Sequence, residues 1–169
     1  IVYPETKTVK QTDDYHGFKV EDPYRWLEDD NSAETKTWVE SENKTTYQYL
    51  SQIPYREKVK QRLTELWNYE KMTSIFKKGK LFFSSRNNGL QNQAVLYSQA
   101  NLLDNPTVVL DPNLLSKDGT TSLSGMSISK DGTYLAYGVS KAGSDWVEIH
   151  VKNIATKEDL KDVIQWVKF

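Results

Sequence analysis

The stretch Ser129-Lys130-Asp131-Gly132-Thr133-Tyr134-Leu135-Ala136-Tyr137-Gly138-Val139 decides how this chain is read. A Lys-Asp-Gly turn opens directly into a run of β-type residues over 133–139, the pattern of a tight turn feeding a strand. The same grammar occurs upstream, where Lys78-Gly79 leads into a run over 80–85. Setting Gly79 against Gly132 and Gly89 against Gly143 gives offsets of 53 and 54 residues and superposes the two strands. Around them lie two similar series of short runs: 74–77, 80–85, 94–99 and 107–110, then 123–129, 133–139, 146–152 and 163–169. A period of about 50 residues with about four strands per unit marks propeller blades rather than a sandwich. From periodicity alone, a small all-β domain with coincidental hairpins stays open.

Two blades do not close a propeller. Apolar positions such as Leu135, Tyr137, Val147 and Ile149 are then expected to face water. At roughly 1.5–3 kcal/mol per side chain, that forfeits about 6–12 kcal/mol, against a net domain stability of only about 5–15 kcal/mol. The expectation is that further blades come from residues beyond Phe169 or from another chain.

Upstream of the strands the texture is helical. The first thirty residues, rich in Asp, Pro and Tyr without a sustained period, read as an extended arm with turns at 14–17 and at Asp22-Pro23. Asp30-Asn31-Ser32 supplies capping side chains and Glu34 places negative charge in a first turn, so a helix is expected over 32–50. Its expected buried positions are Trp38, Val39, Tyr49 and Leu50. Pro54 suits the first turn of a second helix, with Val59, Leu63, Leu66 and Trp67 at helical spacing and Arg56, Lys58, Lys60 and Arg62 on the wet side.

Composition narrows the chemistry. In 169 residues, 22 Lys and Arg balance 23 Asp and Glu, which gives no basic face for a phosphate backbone and argues against nucleic acid. There is no cysteine, which removes disulfides, thiolate metal sites and cysteine nucleophiles. The longest apolar runs fall far below the roughly 18 residues of a membrane helix, so the chain is expected to be soluble, with cytoplasm and periplasm both open. It opens at Ile1-Val2-Tyr3-Pro4 without an initiator methionine or a secretory segment, as a processed or trimmed chain would.

The nearest approach to a nucleophile elbow, Gly125-Met126-Ser127-Ile128-Ser129, lacks the closing glycine and falls where a strand belongs. The two histidines, His16 in a turn and His150 in a strand, read as structural, as do Trp26, Trp38 and Trp67 in the helical part. No metal-binding or phosphate-cradling string is present, so neither a metal nor a cofactor is implied.

Specific strings carry more than periodicity does. Asp14-Tyr15-His16-Gly17 and Asp22-Pro23-Tyr24-Arg25-Trp26-Leu27-Glu28-Asp29 resemble the opening signature of the prolyl oligopeptidase family. Phe76-Lys77-Lys78-Gly79-Lys80, Gly89-Leu90-Gln91-Asn92-Gln93, Leu110-Asp111-Pro112-Asn113 and Gly143-Ser144-Asp145-Trp146 resemble further strings of that family, in order. The resemblance spans essentially the whole chain. It implies a serine peptidase that cuts short peptides after proline, built from an α/β-hydrolase domain with a Ser-Asp-His triad and a seven-bladed β-propeller that gates entry. Residues 1–70 would be the arm and two α-helices that pack on the hydrolase domain, and 71–169 the first roughly two blades.

On this resemblance the catalytic residues all lie outside the chain, and two positions here correspond to substrate-binding residues. Phe169 matches a propeller phenylalanine lining the pocket for residues before the cleaved proline. Asp145 matches an aspartate near the cavity, where a carboxylate can orient the arginine that holds the substrate carbonyl. Ser124 departs from the pattern, standing where animal members carry an arginine. The expected partners are short proline-containing peptides and the remaining C-terminal part, in a full-length monomer. Two rival readings are a non-catalytic propeller that binds peptides or proteins, and a related peptidase cutting after basic residues. The arm and helices favour a capped hydrolase, and the Gly89–Gln93 and Asp145-Trp146 strings favour proline.

Overall fold

The computed structural model describes residues 1–168, which divide into two units, Ile1–Arg62 and a second from Leu63 onward. In the first, the arm is less extended than the sequence suggests. Strands β1 (Thr12–Tyr15) and β2 (Phe18–Glu21) pair antiparallel, with Tyr15 opposite Phe18. The two-residue loop between them works because His16 and Gly17 both take positive φ, 57° and 92°, the handedness that matches strand twist in a tight hairpin. Asp14 Oδ1 accepts the Gly17 amide at 2.6 Å and fixes the turn.

A 3₁₀ turn, Arg25–Glu28, follows, and the Arg25 guanidinium bridges Asp13 and Asp22. Helix α1 (Ala33–Ser51) then starts where the capping residues place it: Ser32 Oγ accepts the Thr35 amide at 3.0 Å. Trp26 meets Trp38 edge to face with centroids 6.4 Å apart, and their indole N–H groups donate to the Lys7 carbonyl and Thr6 Oγ1, both at 3.0 Å. Helix α2 (Arg56–Trp67) begins two residues after Pro54.

The expected burial of these helices is not found. Trp38 and Leu50 are half-buried, but Val39, Tyr49, Val59, Leu63, Leu66 and Trp67 are all exposed. The helical spacing was enough to place the helices, but nothing among the described residues covers their apolar faces.

The second unit contains two antiparallel sheets. In the first, β3 (Lys71–Met72) and β4 (Phe76–Lys78) share the same side of β5 (Leu81–Asn87), followed by β6 (Val95–Gln99) and β7 (Thr107–Leu110). In the second, β8 (Ser122–Ile128), β9 (Tyr134–Ser140), β10 (Val147–Asn153) and β11 (Ile164–Val167) run side by side in chain order. Gly79 falls in the turn from β4 to β5 and Gly132 in the turn from β8 to β9, so equivalent turns bear the two glycines of the repeat.

These turns touch. The Gly79 amide donates to the Lys130 carbonyl at 3.0 Å, and a Cβ on Gly79 would sit 1.9 Å from the Asp131 carbonyl oxygen. Both glycines have positive φ, 55° and 76°. Each is therefore required twice over, by conformation and by backbone proximity.

Between the sheets lies one apolar cluster: Phe83, Leu96, Val109 and Leu110 from the first, and Ile128, Leu135, Tyr137, Val139 and Ile154 from the second sheet and its flank. This corrects the expectation that four apolar positions face water. Leu135 and Tyr137 are 0% and 4% exposed because the first sheet covers them, while Val147 and Ile149, on the opposite face of the second sheet, are only half-buried. Gln93 staples the sheets: it donates to the Thr121 carbonyl at 2.7 Å and accepts the Leu123 amide at 3.0 Å, while its own amide donates to Asn113. The Gly89–Gln93 and Asp111–Asn113 strings thus meet as a structural joint.

Candidate functional site

The β9–β10 turn is tightly specified. Ala142 and Gly143 take φ of 51° and 75°. The Ser144 amide donates to the Lys141 carbonyl at 3.0 Å, Ser140 Oγ donates to the Ser144 carbonyl at 2.6 Å, and the Trp146 amide donates to Ser144 Oγ at 3.1 Å. Asp145 therefore leaves a fixed backbone, with its side chain 76% exposed.

Val147 pairs with Val167, which brings this turn beside the end of β11. Across that junction Lys168 Nζ lies 3.6 Å from Asp145 Oδ2 and 5.4 Å from the centre of the Trp146 ring. Of the two expected substrate positions, Asp145 reaches Lys168 with its carboxylate. Phe169 lies outside the described residues. Ser124 sits in β8, its Oγ close against Gly138, where a Cβ would come within 2.3 Å.

One residue that the sequence reading did not single out, Trp166, completes the region. Trp166 meets Trp146 edge to face at 5.6 Å and 81°, and both are well exposed, at 75% and 47%. Trp166 also takes φ of 60°, a left-handed conformation that costs a bulky residue about 1–3 kcal/mol and persists only where surroundings impose it. The signal for it in the sequence was faint: one large ring in the short run Ile164-Gln165-Trp166-Val167.

Beside the two rings, Lys141 Nζ holds both oxygens of Glu148 at 2.8 and 2.9 Å, with His150 Nε2 3.6 Å from the same carboxylate. The bond from Lys141, with its charge and that of His150, keeps the Glu148 carboxyl below its ordinary range despite some desolvation. A second cluster belongs to the fold. The Tyr137 hydroxyl donates to Asp159 at 2.9 Å, Lys152 reaches the other Asp159 oxygen at 3.1 Å, and the Tyr137 ring stacks on His150. Burial, then the Asp159 bond, pushes the Tyr137 hydroxyl well above its ordinary value. Among the described residues, no group of three or more His, Asp or Glu is arranged to hold a metal, and no helix is long and apolar enough to cross a membrane.

Comparison with known proteins places this arrangement. The family model for the prolyl oligopeptidase N-terminal β-propeller domain matches residues 3–169. A prolyl endopeptidase of Elizabethkingia meningoseptica is 50% identical over 99% of this chain, and one of Dictyostelium discoideum is 38% identical over 94%. Among solved structures, a prolyl endopeptidase superposes with a TM-score of 0.79 at 34% identity over 97% of the chain and 24% of its own. Prolyl oligopeptidase B of Galerina marginata, bound to a 35mer hydrolysis and macrocyclization substrate, does so with 0.75 at 28% identity, over 99% of this chain and 27% of its own. The chain spans about a quarter of the length of the curated relatives, 24% for each of these two. With a matching family model over residues 3–169 and a solved prolyl endopeptidase superposing over 97% of the chain, this chain belongs to the prolyl oligopeptidase family, in its N-terminal β-propeller region.

Proposed function

We propose that these residues serve a serine peptidase that hydrolyses short peptides on the carboxyl side of proline. The observation that carries this reading is 50% identity to a prolyl endopeptidase, sustained over 99% of the chain. The arm, α1 and α2 pack on an α/β-hydrolase domain, which explains why their apolar side chains are exposed here. The two sheets are the first blades of a seven-bladed propeller that restricts entry to short peptides, and the half-buried face bearing Val147 and Ile149 receives the next blade.

The chemistry is carried by residues outside this chain. A base-activated serine attacks the proline carbonyl carbon, its proton passes through the histidine to the leaving amine, and water then cleaves the acyl-enzyme. Within this chain, Asp145 orients a cationic group toward the substrate carbonyl, a role consistent with its exposed carboxylate already engaging Lys168. Phe169 supplies apolar surface for residues preceding the proline. The isolated 169 residues are inactive.

The test is hydrolysis of a chromogenic Gly-Pro substrate by the full-length protein, with and without a serine-directed phosphonate. Inhibitable cleavage supports the reading. A full-length protein that leaves the substrate intact sinks it and favours a peptide-binding propeller.

A further inference from the structure

The notch between the two exposed tryptophans is lined by Lys141, Ser144, Trp146, Glu148, Gln165 and Trp166 together with the strand ends at Val139 and Val147, and has a volume of about 190 Å³. A cavity of roughly 150 Å³ already accepts a benzene-sized ring, so a pyrrolidine ring fits. The walls are two indoles at 81° to one another, which offers one aromatic face and one edge to a single inserted ring. The Lys141–Glu148 ion pair lines the notch, and a second pair, Asp145 with Lys168, lies beside the Trp146 wall, so opposite charges stand close together, complementary to the alternating amide dipoles of an extended peptide.

Strand addition is not available here. β11 is an edge strand of its sheet, but the register shifts against β10 between Val147 and Ile149 and Trp166 takes a positive φ, so the edge is bent and cannot continue a ladder. Recognition must therefore run through side chains, and aromatic-lined grooves hold proline-rich segments because the polyproline conformation is already formed before binding. The left-handed backbone at Trp166 is the device that turns its ring outward from the edge rather than along the pleat.

We propose that Trp146 and Trp166 form a subsite for the proline ring of an extended, polyproline-type peptide segment, taking a residue upstream of the bond that is cut. This rests on the peptidase reading for its role in catalysis, but binding itself does not require cleavage.

Two measurements on the full-length protein test it. The first is a tryptophan-fluorescence titration with an all-proline hexapeptide against a matched all-alanine one. Saturable binding of the proline peptide, at least about tenfold tighter than the alanine peptide, is expected, with Trp166→Ala erasing the difference and Trp166→Phe keeping most of it. The second compares kcat/KM for two cleavable peptides that differ only in proline or alanine several residues upstream of the cut. Trp166→Ala is expected to lower kcat/KM about tenfold more for the proline peptide, through KM. Equal binding of the two hexapeptides by the unaltered protein overturns the subsite, as does a proline preference that survives in Trp166→Ala. A protein that binds the proline hexapeptide selectively yet cleaves neither substrate upholds the subsite and refutes the peptidase reading.

Discussion

Among the described residues of Ile1–Arg62, only Thr35 is buried, whereas the paired sheets bury Phe83, Leu96, Leu135 and Tyr137 to 4% exposure or less. The first unit is held by local devices: the Ser32 cap, the His16-Gly17 hairpin, the Arg25 bridge to Asp13 and Asp22, and the hydrogen-bonded pair of Trp26 and Trp38. The second is held by a core whose members are far apart in sequence, Phe83 and Leu135 among them. Local devices fix the shape of a segment, but each contributes only about 1 kcal/mol. Burial contributes two to three times that per large side chain. A unit of the first kind needs something to lie on, and a unit of the second kind supplies its own support.

The largest expected effect breaks the core. Leu135→Ala in the 169-residue chain removes a fully buried side chain and is expected to cost about 2–5 kcal/mol, read as a fall in the urea midpoint. Val59→Ala, at 49% exposure, is expected to leave the midpoint within about 0.5 kcal/mol, since alanine also has the higher helix propensity. Repeating Val59→Ala in the full-length protein sharpens the contrast. If α2 packs on a hydrolase domain, the cost rises to about 1–2 kcal/mol; an unchanged midpoint there counts against that packing.

Next come the glycines. Gly79→Ala drives a Cβ into the Asp131 backbone and holds alanine at a positive φ, for about 2–4 kcal/mol in all. Gly17→Ala has the same backbone requirement with open space around it, so only the conformational cost of about 1 kcal/mol remains. Comparable costs at the two sites would show that the turns of the two sheets do not meet as described. Smaller again is Ser32→Ala, which leaves the Thr35 amide without its acceptor. A loss of about 0.5–2 kcal/mol is expected to appear as reduced helical ellipticity at 222 nm while the amide-exchange protection of β5 and β9 is unchanged.

The same contrast explains what the sequence made legible. The Ser32 cap and the repeat of Gly79 at Gly132 are local or periodic signals, and helices, strands and their order follow from them to within a few residues. Burial was not legible, because it depends on what stands opposite. Leu63 and Leu135 are equally apolar, yet one is exposed and the other is sealed by a sheet whose identity the local pattern does not carry. The hairpin in the arm was missed because β1 and β2 expose nearly every residue and show no apolar alternation. At the site, the string containing Asp145 was recognisable, but Trp166 and Lys168 reach it only through the pairing of Val147 with Val167. No spacing along the chain announces that pairing.

The smallest effect separates the two kinds of unit by pH. Asp131 accepts hydrogen bonds from Ser129 Oγ, Thr133 Oγ1 and the Thr133 amide, and these hold its carboxyl at about 2 rather than the ordinary value of about 3.9. Asp13 is lowered as well, by Gln11 first and then by Arg25. A carboxylate with a folded-state pKa below its unfolded value stabilises the fold at every pH above the unfolded value, and that contribution drains away as pH falls through the folded pKa. For Asp131 the window therefore runs from about pH 4 down to about pH 2. Following the Asp131 side-chain carbon by NMR through this range should show it titrating toward the lower end of the window, with Asp131→Asn removing that part of the acid dependence. The turn at Asp131 rests on the neighbouring sheet through Gly79, so its loss is expected to loosen both sheets together, while protonation of Asp13 frees only the hairpin and the Arg25 turn. If amide exchange at acid pH quickens equally in β2 and in β9 when only Asp13 has been replaced by asparagine, the two units are not independent, and the distinction between local and long-range support fails.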